Sequence, residues 1–410
     1  MSSNNELIII NISGQDKPGV TAALTSILAK YNAMVLDIGQ ADIHHTLSLG
    51  ILFKTTSSDS GDLMKDLLFK AYDMGVNIRF TPISTEEYEK WVSLQGKNRW
   101  IITILGRQLT ANNIALVSEV IVEQGLNIDA IQRLTGRQPL VEGSLPATKA
   151  CIEFSVRGTP VNRSEMQSRF IEISSHEGFD ISMQEDTMYR RCRRLICFDM
   201  DSTLIQTECI DQLAEKAGVG DKVKEITERA MRGEIDFQES FKERVALLKG
   251  LDVSVMEGIA EALPITEGVD RMMNVLKRAG FKTAILSGGF TFFGEYLKRR
   301  FGFDYVYANE LEVEDGKLTG RYVGDIVDGK RKAELLRLIA QVENVNIAQT
   351  IAVGDGANDL PMLATAGLGI AFHAKPKVKE SAKQSISTIG IDGVLYFLGF
   401  KDSFIGEPGK

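Results

Sequence analysis

Leu195–Ile205 reads LICFDMDSTLI, a short apolar run that closes on two aspartates one residue apart. An uninterrupted apolar run of strand length suits a strand buried on both faces, as in a parallel sheet. A core strand has no use for carboxylates, so Asp199 and Asp201 belong to its end. In an extended chain residues i and i+2 share a face, which aims both side chains at whatever lies beyond the strand. Like charges held that close need a cation or a shared proton between them. The pair therefore points to a metal site or to acid–base chemistry.

Working outward, three further strand candidates follow downstream, TAILSG, TIAVGD and LGIAF, with helical stretches between them. That alternation predicts an α/β fold with a doubly wound parallel sheet covered on both faces. The Asp315-Gly316 pair in VEDGKL predicts a small hairpin interrupting the alternation. Between about residues 208 and 263 runs a charged helical insertion directly after the first strand's loop. There it would lie above the strand ends, as a cap or lid.

Upstream the texture differs, and the chain repeats itself at an offset of 92 residues: Gly14 matches Gly106, Leu24 matches Leu116, Asp37 matches Asp129 and Gln40 matches Gln132. Each copy reads as strand, glycine-bearing loop, amphipathic helix and second strand, completed by later strands and a helix. This predicts two ferredoxin-like βαββαβ sandwiches over residues 1–95 and 96–185, ahead of an α/β domain over 186–410.

The chain of 410 residues is long enough for several cores. Its net charge of −8 lacks the basic field of a nucleic-acid binder. The local run RRCRR, Arg190–Arg194, reads as a solvated linker. Four cysteines without metal-ligand spacing call for no disulfides, so a reducing cytoplasmic setting is expected. No apolar stretch is long enough to span a bilayer, and no membrane or nucleic-acid partner is expected.

Four segments at strand ends or helix starts carry the chemistry, the places where open parallel sheets bind ligands. In DMDSTLI, Asp199 suits a carboxylate nucleophile and Asp201 a proton donor, with Mg²⁺ offsetting their repulsion. In LSGGF, Ser287 and the backbone of Gly288 and Gly289 can hold an anion. In DGKRKAELL, Lys332 can neutralise phosphoryl oxygens, although Lys330 and Arg331 compete for the role on spacing alone. In VGDGANDLPML, Asp355 can complete an acidic metal shell, with Asn358 and Asp359 within a turn.

Together these segments resemble the haloacid-dehalogenase-like phosphatases, and residues 186–410 resemble the phosphoserine phosphatases among them. The pattern D-x-D-x-T, S-G-G-F, a lysine and G-D-G-x-N-D occurs in order and at fitting intervals. The resemblance implies that Asp199 becomes an aspartyl-phosphate and that Asp201 protonates the departing serine oxygen, then activates water. It implies Mg²⁺ on Asp199, the Asp201 carbonyl and Asp355, and phosphoryl contacts from Ser287, Gly288, Lys332 and Asn358, with Lys332 preferred over Lys330. Glu208 and Arg244 take the places that meet the amino and carboxylate groups of O-phospho-L-serine, which would make the activity the last step of serine biosynthesis.

The N-terminal repeats resemble ACT domains, modules that bind amino acids between paired copies. GQDKPGV matches the family's ligand loop through Gly14, Asp16, Pro18 and Gly19, while the second copy, GRQLTAN, keeps Gly106 and lacks the rest. The resemblance implies effector contacts at Asp16, Gly19 and Gly106, serine as the candidate effector, and a homodimer. Dimerisation without regulation is the competing reading of the repeats. Among enzyme readings, the competitors are transfer of the phosphoryl group to another acceptor and hydrolysis of another small phosphomonoester.

Overall fold

A computed structural model describes residues 5–93, 96, 98–137, 149–382 and 384–406. The chain divides into two compact units, residues 1–97 and 98–410.

The first unit runs β1 (Asn5–Gln15), α1 (Val20–Lys30), β2 (Met34–Ile43), β3 (Thr46–Thr56), α2 (Ser60–Met74), β4 (Val76–Ile83) and α3 (Thr85–Val92). Its antiparallel sheet has the order β2-β3-β1-β4. Alternation explains the one-sided core: Ile8, Ile10 and Ile12 of β1 are buried against Leu24 and Leu28 of α1 and Leu63 and Leu67 of α2. Helix α3 begins with a reciprocal Ser84–Glu87 capping box.

The second unit opens with the same order: β5 (Arg99–Gly106), α4 (Ala111–Glu123), β6 (Asn127–Arg133), β7 (Ala150–Arg157), α5 (Arg163–Glu177) and β8 (Asp180–Glu185), with sheet order β6-β7-β5-β8. The repeat read from the offset is therefore a structural repeat. Both second strands carry a register shift at nearly matching places, between Val35 and Asp37 and between Ile128 and Ala130.

A short helix, α6 (Met188–Arg191), leads into β9 (Leu195–Phe198), and four helices follow, α7 (Cys209–Lys216), α8 (Gly220–Met231), α9 (Phe237–Ala246) and α10 (Ser254–Glu261). The chain continues with α11 (Val269–Arg278), β10 (Lys282–Phe290), α12 (Thr291–Phe301), β11 (Tyr305–Glu314), β12 (Lys317–Val323), α13 (Gly329–Val342), β13 (Thr350–Gly354), α14 (Leu360–Thr365), β14 (Leu368–Phe372), α15 (Pro376–Ser381) and β15 (Gln384–Ile386). The seven-stranded sheet has the order β12-β11-β10-β9-β13-β14-β15, parallel except for the β11–β12 hairpin. That hairpin turns at Asp315 and Gly316, both at positive φ, where the Asp-Gly pair predicts it.

β9 lies between β10 and β13, which is why it is apolar throughout. Ile196 and Phe198 pack on one face, with Met272 and Leu276 of α11; Leu195 and Cys197 pack on the other, with Leu336 and Ile339 of α13. Leu105, Leu134 and Cys151 of the second repeat share the first of these cores, so repeat and α/β sheet are fused within the unit. Polar contacts reinforce the seam. Asp180 accepts from the N–H groups of Ser387 and Thr388, and the fully buried Asp392 binds Lys149 and Arg271.

RRCRR is not a solvated linker. Arg190 is buried and donates to Glu153 at 2.6 Å, because the run crosses between β8 and β9 where the repeat packs on the sheet. No helix among the described residues is long and apolar enough to cross a membrane.

Candidate active site

Three of the four chemistry-bearing segments lie at the C-terminal ends of neighbouring parallel strands, β10, β9 and β13, and the fourth begins α13. β9 stops at Phe198, so Asp199 stands one residue past it and Asp201 already lies in a turn; the two are not successive members of one extended strand. Asp199 still prolongs the pairing, donating its N–H to the Val353 carbonyl at 2.9 Å. The loop then folds back tightly: Thr203 and Leu204 both donate to the Met200 carbonyl, and Ser202 takes a left-handed φ of 58°. From there the Ser202 hydroxyl donates to Glu208 Oε1 at 2.8 Å.

The centre of the site is a lysine with no exposed surface. Lys332 Nζ lies 2.8 Å from Asp199 Oδ1 and 2.7 Å from Asp359 Oδ1. Burial pulls its pKa down, but the two carboxylates more than offset this, so the lysine is raised and charged. Lys332 is placed by its helix: Asp328 caps α13, accepting from the Arg331 N–H, and Lys332 sits one turn in. Of its competitors, Lys330 is exposed and Arg331 pairs with Glu334 at 3.2 Å, so Lys332 is the one of the three that is buried among the carboxylates.

Oxygens of Asp199, Asp355 and Asp359 all lie within 4.8 Å of one another. Asp359 also accepts from the Gly356 N–H at 3.0 Å, and Asp355 accepts from Thr203 Oγ1 at 3.0 Å. One buried cation does not balance three carboxylates. Burial, then repulsion from Asp359, pushes Asp199 well up and Asp355 up to about 7. An all-oxygen donor set with surplus negative charge fits a hard divalent cation such as Mg²⁺. The carboxylate of Asp201 is not in this group. Its Oδ1 accepts from the Cys209 N–H at 3.0 Å, and burial followed by the Glu208 charge pushes it up to about 7.

The SGGF segment ends β10 and faces Asp201. Ser287 is buried and its Oγ accepts from the Gly289 N–H at 2.9 Å. A Cβ on Gly289 would sit 2.2 Å from Asp201 Oδ2, and one on Gly288 would sit 2.9 Å from Phe237 Cζ of α9, so a side chain at either position would have to displace one of these groups. Asn309 fixes this loop, donating to the Gly288 carbonyl at 2.8 Å and accepting from the Val327 N–H at 2.8 Å. Asn358 lies over Gly356, whose Cβ would meet Asn358 Oδ1 at 2.1 Å.

Above these ends, α9 carries Arg244, a partly buried guanidinium that donates to the Ser240 carbonyl at 3.3 Å. Burial lowers its pKa, partly offset by attraction to Glu208, Asp211 and Asp201, which places it on the same side of the site as those acids. Glu208 occupies the N-cap position of α7 without a side-chain capping bond and is exposed. Three contributors lie outside the predicted site residues. Asp359 and Thr203 stand inside motifs already quoted, where only packing shows which carboxylate holds the lysine. Asn309 carries no signal in the sequence.

The repeats treat their first loops differently. Gly19 precedes α1 with φ 91° and gives no side-chain cap, and the Asp16 N–H donates to the His45 carbonyl. In the second repeat, Thr110 and Asn113 form a capping box on α4, a Cβ on Gly106 would crowd Phe179, and Arg107 binds Glu267.

A haloacid dehalogenase-like hydrolase family model matches residues 196–364, and ACT domain models match residues 6–81 and 99–184. A phosphoserine phosphatase from Streptomyces coelicolor is 38% identical over 97% of this chain and 93% of its own. The chain belongs to the phosphoserine phosphatase family. Within that family, phosphoserine phosphatase SerB2 from Mycobacterium tuberculosis is 38% identical over 96% of this chain and 93% of its own. The crystal structure of a probable phosphoserine phosphatase from Vibrio cholerae, in its unliganded form, covers 75% of this chain and 87% of its own at 36% identity, with a TM-score of 0.57.

Proposed function

We propose that the chain hydrolyses O-phospho-L-serine to L-serine and phosphate in a Mg²⁺-dependent reaction, as the last step of serine biosynthesis in the cytoplasm. The observation that carries this reading is Lys332, buried between Asp199 and Asp359 beside a third carboxylate. Asp199 attacks phosphorus, forming an aspartyl-phosphate as the bond to the serine oxygen breaks. Asp201 donates its proton to that oxygen, consistent with a pKa raised to about 7. It then takes a proton from water, which attacks the phosphorus and frees Asp199. Lys332, Ser287, the Gly288 N–H and Asn358 hold the phosphoryl oxygens. Asp199, the Asp201 carbonyl and Asp355 would hold Mg²⁺, which offsets phosphoryl charge when bound. Glu208 and Arg244 meet the substrate's ammonium and carboxylate, so the helices over about 208–263 act as a cap that selects the substrate.

Residues 1–95 and 96–185 then act as regulatory modules that bind an amino acid, serine being the candidate, in a homodimer. Support falls mainly on Asp16 and Gly19, because α1 offers N–H groups that no side chain caps. Gly106 ends β5, before a loop whose helix is already capped. The test is phosphate release from phosphoserine with and without Mg²⁺ and serine, for the wild type, Asp199→Asn and Arg244→Ala. Metal-dependent turnover lost in Asp199→Asn, with KM raised in Arg244→Ala, supports the reading. Turnover confined to other phosphomonoesters would keep the mechanism and reject the substrate.

A further inference from the structure

The basic run before β9 leaves one partly buried guanidinium without a counterion, Arg194 being exposed to solvent. Arg190 is paired with Glu153, and Arg191 reaches Asp186 at 3.4 Å. Arg193 has no carboxylate at ion-pair distance among the described residues. Its Nη1 donates to the carbonyls of Ala348 and Thr350 at 3.4 and 3.3 Å, and Nη2 donates to Gln184 Oε1 at 3.4 Å. Its Nε is buried with no partner. Long bonds to neutral acceptors replace hydration poorly, so a partly buried cation in this setting gains from an anion. Burial, reinforced by the Arg190 charge, lowers its pKa to about 10, the mark of a cation short of negative neighbours.

Arg193 lies in the wall of a cavity of about 430 Å³ between the second repeat and the α/β sheet, a volume within the usual small-molecule range of roughly 300–1,000 Å³. Met183 and Thr187 form one side; Leu363 and Ala364 of α14 and Ala382, just past α15, form the other. The one acid in the lining, Glu185, is bound by Arg163 at 2.9 Å. Two arginines against one glutamate leave the lining with the net charge of Arg193.

We propose that this cavity binds a small organic carboxylate with an apolar body, its carboxylate on Arg193 and its body against Leu363 and Ala382. The site goes beyond the phosphatase reading and shares no residue with the cluster around Lys332. It touches that cluster through one element, since α14 starts directly after Asp359.

Calorimetric titration of the full chain with benzoate tests this. Saturable binding is expected, weakened roughly ten-fold in Arg193→Gln, the scale of one charge-assisted hydrogen bond. Acetate, with the same charge and no ring, should bind at least roughly ten-fold more weakly than benzoate. Ala364→Trp, at a lining position of α14 that is open to solvent and not among the hydrogen-bond partners of Arg193, adds bulk at the cavity and should abolish binding. It decides the matter if Arg193→Gln does not fold. Benzoate binding that survives Ala364→Trp, equal affinity for acetate, or no saturable binding to the wild type would overturn the proposal.

Discussion

Lys332→Met tests the centre of the site most directly. At an effective dielectric of 20, each of its two ion pairs, at 2.8 and 2.7 Å, is worth about 6 kcal/mol before desolvation is subtracted. Burying the lysine consumes much of that. Removing one member of a buried pair costs about 3–5 kcal/mol, because the partners stay buried and uncompensated. Here three carboxylates would face one another with no cation among them. For a unit of this size the loss corresponds to a Tm about 6–10 °C lower without added metal.

Divalent cation should narrow that gap, since an ion entering the acidic group replaces part of the missing charge and stabilises the folded state by mass action. Thermal unfolding of the wild type, Lys332→Met and Lys330→Met, each with and without Mg²⁺, reads the effect. Lys330→Met should match the wild type, because Lys330 is exposed. Phosphate release from Lys332→Met should fall by about 10²–10³, the usual loss for one preorganised donor to developing charge. A Lys332→Met protein as stable as the wild type without metal, or a gap that Mg²⁺ leaves unchanged, would refute the electrostatic account.

Gly289→Ala should cut turnover by about 10² while leaving the Tm within about 2 °C, since its Cβ would displace the Asp201 carboxylate rather than core backbone; unchanged kcat would contradict the close approach. Asp392→Ala should cost about 2–3 kcal/mol in urea unfolding of the second unit, because Lys149 and Arg271 lose their buried acid yet keep Glu267 and Asp402. Burial raises the pKa of Asp180 despite its bonds from Thr388 and Ser387. A raised carboxyl favours the folded state while protonated, so its contribution is full below the ordinary carboxylate range and is lost as pH rises through the folded value. The stability of the wild type relative to Asp180→Asn should therefore decline as pH rises through that window, and a difference flat with pH would argue against it.

What was legible in the chain is what depends on local pattern. The apolar runs of β9, β10, β13 and β14 report strands covered on both faces, and the Asp-Gly pair reports its hairpin whatever surrounds it. The offset of 92 residues exposes the repeat through its first strands, where Ile8, Ile10 and Ile12 match the buried Trp100, Ile102 and Ile104. The helices match one residue later, Val20, Leu24 and Leu28 burying the face that Asn113, Val117 and Ile121 bury, so Leu24 corresponds to Val117 and not to Leu116. What was not legible depends on which partner a side chain meets. In GDGAND, two aspartates of similar spacing take different tasks, Asp355 receiving Thr203 and Asp359 the lysine. RRCRR looks solvated until the fold brings Glu153 of β7 beside Arg190. Nothing local marks Asn309, whose value lies in joining the Gly288 carbonyl to the Val327 N–H across a gap in sequence.

The two repeats show how one local pattern is turned to different ends by its surroundings. Both present strand, loop and helix, and both first strands end at or next to a glycine, Gly14 and Gly106. In the first, the helix starts from a left-handed glycine and its leading N–H groups are left without a side-chain cap. In the second, the helix caps itself through Thr110 and Asn113, and the neighbouring Arg107 is bound to Glu267 and the Thr388 carbonyl of the α/β half. A loop that holds two halves of a unit together cannot also open for a ligand without weakening that joint. The departure of GRQLTAN from GQDKPGV therefore goes with a changed duty: the second repeat's loop joins the α/β half through Arg107, and under the regulatory reading proposed above the effector contacts fall to the first.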